Sequence, residues 1–152
     1  MHNNHRENKL VDGQSGIVDR TAKFADRVIQ LCLALPGNSV GWEIGRQLVR
    51  EGTSVGANVE EAQAGESKAD FIHKRRIARK ECREVRFFLH RIANAKLIPK
   101  SRLASLLDEV EQILLILTTI ILRASQRGVT VAPNNRKLEQ GRSALHSPGT
   151  RR

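Results

Sequence analysis

One short stretch, containing Arg75, Arg76, Arg79, Lys80, Arg83 and Arg86, carries the most readable chemistry in this chain of 152 amino acids. A guanidinium is a planar fork of donors that matches the oxygens of a phosphate. At about 100° per helical residue, with Phe71 set at zero, Arg75, Arg79, Arg83, Arg86 and His90 fall between roughly 40° and 120°, and Arg76 and Lys80 lie further round. The spacing therefore predicts a ridge on one flank, a candidate surface for RNA or DNA. Solvation, ion pairs to a neighbouring helix and contacts between subunits compete for the same side chains.

The other reactive residue types fall into no such pattern. Cys32 and Cys82 stand far apart without a CxxC spacing, which points to two free, inert thiols in a reducing cytoplasm. His73, Glu84 and His90 do not make a metal site by spacing. No HExxH occurs, nor a Glu-x-x-His pair at core positions. Glu60 and Glu61 are adjacent and diverge by about 100°. No dinucleotide-binding glycine motif, P-loop or nucleophile elbow is present. The expectation is a non-enzyme with no metal, no cofactor and no catalytic residues.

The charge balance supports a polyanion partner. Lys and Arg number 26 against 16 Asp and Glu, a formal net charge of +10. Within 67–96 ten basic residues (Lys68, Lys74, Arg75, Arg76, Arg79, Lys80, Arg83, Arg86, Arg91 and Lys96) oppose only Asp70, Glu81 and Glu84. The preceding segment is acidic, with Glu43, Glu51, Glu60, Glu61 and Glu66 against Arg46 and Arg50.

Four segments with helical apolar spacing must position these residues. The periodicity predicts helices over about 18–35, 41–64, 67–96 and 101–125. Pro36-Gly37 ends the first, and Ser67 caps the third. The third carries a heptad-like seam of Phe71, Ala78, Cys82, Val85, Leu89 and Ile92. Gly45, Gly52 and Gly56 would let a neighbour approach the second helix closely, with a kink at Gly52 as the competing reading. Asn58, one turn from Ser54, is expected to fix helix register as a buried amide, and Trp42 to anchor packing. Aromatics are only 3% of the chain, so the core must be aliphatic. Short connections imply an all-α, antiparallel up-down four-helix bundle over 18–126. Residues 1–17 read as a flexible leader. Residues 127–152 read as a basic disordered tail, with six basic residues against Glu139. The longest apolar run, Ile113 to Leu122, is too short to span a bilayer of about 30 Å. Two features suggest an oligomer: Ile77 and Phe88 on the far flank of the third helix, and Leu115, Ile116 and Leu122 outside the main stripe of the fourth.

Three segments in the middle of the chain carry a resemblance: Gln47-Leu48-Val49-Arg50, Thr53-Ser54-Val55-Gly56-Ala57-Asn58-Val59-Glu60-Glu61-Ala62 and Glu66-Ser67-Lys68-Ala69-Asp70-Phe71-Ile72-His73-Lys74. Together they resemble the four-helix-bundle proteins encoded in intervening sequences of bacterial large-subunit ribosomal RNA genes. They are also similar to the accessory variability proteins of diversity-generating retroelements. The resemblance spans about 20–125. It implies a bundle assembled as a ring, commonly a homopentamer, with no catalytic residues. For the retroelement relatives it implies binding of nucleic acid and of a reverse transcriptase.

Overall fold

The computed structural model describes the backbone of residues 4–126 and the side chains of residues 16–126. It contains four helices, α1 (Asn4–Leu33), α2 (Ser39–Gln63), α3 (Lys68–Asn94) and α4 (Lys100–Gln126), and no strand among the described residues. The expected basic tail lies outside the described residues. The first helix begins at Asn4, earlier than the apolar stripe starting near residue 18 predicts. The other boundaries differ from expectation by a few residues.

Caps explain where the helices begin and end. The Asn38 side chain accepts from the backbone N–H of Gly41 at the head of α2, and the Ser67 hydroxyl accepts from that of Asp70 at the head of α3, which satisfies one otherwise orphaned donor in each case. At the end of α3, Lys96 takes a left-handed conformation with φ 55°. The N–H of Lys96 donates to the carbonyl of Ala93 and that of Leu97 to the carbonyl of Ile92. This Schellman-type closure usually uses glycine.

Consecutive helices pack against one another, and α1 closes the bundle onto α4. The core is aliphatic, as the composition requires: Val28, Leu48, Val55, Val59, Leu89, Ile92, Leu103, Ile113 and Leu117 are almost wholly buried, together with Phe24. Polar links tie α1 to α4 at the rim. Arg20 donates to both carboxylate oxygens of Glu109, at 2.7 and 3.0 Å, and Arg27 donates to Ser105 at 2.9 Å. The Arg20 guanidinium holds the Glu109 carboxyl below its ordinary range.

Gly52 settles the glycine question in favour of packing. It lies within the uninterrupted helix α2, and a Cβ built there would stand 2.7 Å from Cγ1 of Val28 on α1. Two expectations are corrected. Trp42 is 68% exposed and anchors no core: it starts α2 on the side away from the buried stripe of Gly41, Gly45 and Leu48. Asn58 donates from Nδ2 to the carbonyl and hydroxyl oxygens of Ser54, one turn back on its own helix, so among the described residues its bonds stay within α2 and fix no register with a neighbouring helix. Cys32 is half-buried and Cys82 buried, both as free thiols. Burial pushes them up to about 11 and about 12 respectively, which keeps them protonated and unreactive at neutral pH.

Candidate nucleic-acid interface

The basic residues are presented by α3, whose columns follow a seven-residue repeat. Arg75, Cys82 and Leu89 form one buried column and Ala78, Val85 and Ile92 the other. Beside them, Arg79 and Arg86 are half-buried, and Arg76, Arg83 and His90 are exposed. On the opposite side Lys74, Ile77, Glu81, Glu84 and Phe88 are half-buried, and contacts of Lys74 with Glu61 assign that side to α2. The strip of Ile77 and Phe88, read from sequence as a partner surface, is thus mostly covered within the chain. Phe88 packs against the core.

Of the six candidate residues, the structure removes Arg75 from the ridge. Its side chain is fully buried in the α3 seam. Its Nε, Nη1 and Nη2 meet no hydrogen-bond acceptor among the described residues. Burial lowers its pKa to about 10. Its guanidinium lies 5.1 Å from the centroid of the Phe71 ring, a cation–π contact worth about 0.5–2 kcal/mol. That offsets only part of the cost of desolvating a charge. A fixed 100° step places Arg75 just outside the seam. An exact heptad drifts by about 20° per repeat, and supercoiling absorbs the drift. The seven-residue gap between Phe71 and Ala78 in the expected seam was the available signal.

The remaining five sort by partner. Arg86 pairs with Glu111 of α4 at 3.1 Å. Lys80, on the α2 side, contacts Glu84 at 3.0 Å and Glu81 at 3.4 Å. Arg76, Arg79 and Arg83 have no carboxylate partner among the described residues. Arg91, not among the candidates, lies over the Phe87 ring at 5.3 Å. Contacts of Cys82 with Val110 and of Arg86 with Glu111 set α3 against α4. This register puts the unpaired arginines beside the outer face of α4, where Leu115 is 68% exposed. Three adjacent guanidinium groups free of internal acids form a surface suited to phosphates.

Sequence reasoning missed a second cluster. Glu51 of α2 is a buried carboxylate at the α2–α3 contact, and Glu81 and Glu84 of α3 bring carboxylate oxygens within 4.8 Å of its own and of each other. Burial, and then the neighbouring acids Glu81 and Glu84, push the Glu51 carboxyl up to about 7. Lys80 holds the Glu84 carboxyl below its ordinary range. The spacing of Glu81 and Glu84 shows that they share a helix face, but only the register between α2 and α3 brings Glu51 to them.

Four antiparallel helices around an aliphatic core, with an arginine-bearing face on the third, define an all-α bundle whose distinctive surface is cationic. The sequence matches the family model of the 23S rRNA-intervening sequence proteins over residues 14–119, and the chain belongs to that family. Among solved structures it is similar to a protein of unknown function from the S23 ribosomal protein family of Bacteroides thetaiotaomicron. The two are 31% identical and superpose with a TM-score of 0.68, over 72% of this chain and 98% of the other. No curated protein matches the sequence. No helix among the described residues is long and apolar enough to cross a membrane.

Proposed function

We propose that this chain is a self-assembling, non-enzymatic accessory protein that associates with nucleic acid through α3. The observation that carries the reading is the set of arginines Arg76, Arg79 and Arg83, which no described carboxylate neutralises. Arg86 and Lys80 flank them, and the net charge of +10 adds long-range attraction. The names of the family and of the Bacteroides relative both refer to the ribosome or its RNA. Self-assembly is supported by large apolar side chains left uncovered on a single chain, at Leu33, Trp42, Phe87, Leu115 and Leu122.

The test is a fluorescence titration with RNA and DNA duplexes at two salt concentrations. It is run on the full chain and on a version ending at Gln126, which removes the basic tail. Arg79→Ala with Arg83→Ala is expected to weaken binding by roughly tenfold or more, since each lost charge-assisted contact is worth about 1.5–3 kcal/mol before solvent screening. Helicity and assembled mass should not change. Unaltered binding would remove the ridge as the site. Dissociation of the double variant into monomers would instead assign the arginines to subunit contacts, the alternative reading of a purely structural assembly.

A further inference from the structure

We propose that Glu51, Glu81 and Glu84 form a binding site for one divalent, oxygen-preferring cation that ties α2 to α3. Three carboxylates from two helices converge, and each offers one oxygen to a group whose members lie within 4.8 Å of one another. Oxygens ligating a single Ca²⁺ sit about 2.3–2.6 Å from the ion, so two of them can be at most about 5 Å apart; Mg²⁺ at about 2.1 Å would need the carboxylates to close slightly. The set contains no thiolate or imidazole, which favours Ca²⁺, Mn²⁺ or Mg²⁺ over softer metals.

A second observation supports the site. The Glu51 side chain is only 2% exposed, and its Oε2 is buried with no hydrogen-bond partner. A carboxylate oxygen so placed lacks the compensation that buried charges require. The cations now beside the cluster come from its edge. Arg50 reaches Oε1 of Glu51, and Lys80 reaches Glu81 and Glu84, but the Arg50 and Lys80 side chains are about 70% exposed. Both are long enough to swing into water when a smaller divalent ion enters. Glu81 and Glu84 are only half-buried, so the outer side stays open for water ligands. The site faces α2; of the nucleic-acid candidates only Lys80 touches it, and the inference does not rest on the nucleic-acid reading.

The experiment is calorimetric titration of the full, chelator-stripped chain, free of nucleic acid, with CaCl₂ and MnCl₂ at pH 7.5. The expected result is one cation per chain, with affinity lowered tenfold or more by Glu51→Gln and likewise by Glu84→Gln. Glu61→Gln, which alters an exposed acid outside the cluster, should bind as the parent does. Glu51→Gln mimics the protonated side chain and should fold, with circular dichroism as the check. Glu84→Gln, at a half-exposed position, reads the same site independently. Uptake should also weaken at pH 5.5, where protons compete for Glu51. No uptake by the parent at millimolar cation, unchanged affinity in both cluster variants, or an equal loss in Glu61→Gln would overturn the proposal.

Discussion

Two buried charges, Glu51 and Arg75, set the chemistry at the scale of single residues, and each is expected to gain stability when a neutral side chain replaces it. The folded-state pKa of Glu51 is raised to about 7 from an ordinary value of 4.5. Its contribution to stability is therefore fully present below about pH 4.5 and is lost as pH rises through about 7. A shift of this size corresponds to on the order of 3 kcal/mol. Glu51→Gln, neutral at every pH, should match the parent near pH 5 and exceed it by that amount at pH 8, measured by urea unfolding in the presence of chelator. A variant less stable than the parent at pH 8 would show that the ionised carboxylate is needed in the fold. Arg75 is desolvated and lacks a described acceptor, so an unbranched apolar side chain of similar length should suit its site better. Arg75→Met is expected to raise stability by about 1 kcal/mol or more and to leave nucleic-acid affinity unchanged. A loss of affinity at constant stability would return Arg75 to the interface.

At the scale of elements, the helices were legible because each buries one regular stripe. The seam from Ala78 to Ile92 and the stripe through Leu103, Leu106, Val110, Ile113 and Leu117 appear in the fold as read. The longitudinal register between helices was not legible. Periodicity places Glu51 on α2 and Glu84 on α3 but says nothing of the longitudinal register that brings them together. Arg75 was misplaced because a fixed 100° step sets it just outside the seam that a heptad places it in, and Trp42 because a large aromatic was taken to be buried. Gly52 shows the converse, with its role in close helix approach readable from its size alone. Gly52→Ala should cost about 1–3 kcal/mol through the clash with Val28, even though alanine favours helix by roughly 1 kcal/mol. Lys96 offers the opposite opportunity. Its left-handed conformation strains a non-glycine residue by about 1–2 kcal/mol, so Lys96→Gly should raise the thermal midpoint. Unchanged or lower stability would show that unfolded-state entropy cancels the relief.

At the scale of the whole molecule, assembly decides how the arginine face acts. A single chain of 17.0 kDa offers Arg76, Arg79 and Arg83 as unpaired phosphate contacts. Each contact to duplex DNA lowers log K by about 0.9 per unit of log salt, so one chain acting alone should give a slope no steeper than about −3, or about −4.5 if Arg86 and Lys80 also engage. A closed assembly repeats the face once per subunit, and a duplex long enough to touch two copies should double the slope. Light scattering at micromolar concentration is expected to return a mass well above that of one chain. The slope should then exceed the single-chain value on a long duplex and fall back to it on a duplex too short to bridge two subunits. The version ending at Gln126 keeps the tail from contributing to either number. A monomeric mass would remove self-assembly outright. An assembled mass with the same shallow slope on both duplexes would mean that the copies of α3 face apart and bind one site at a time.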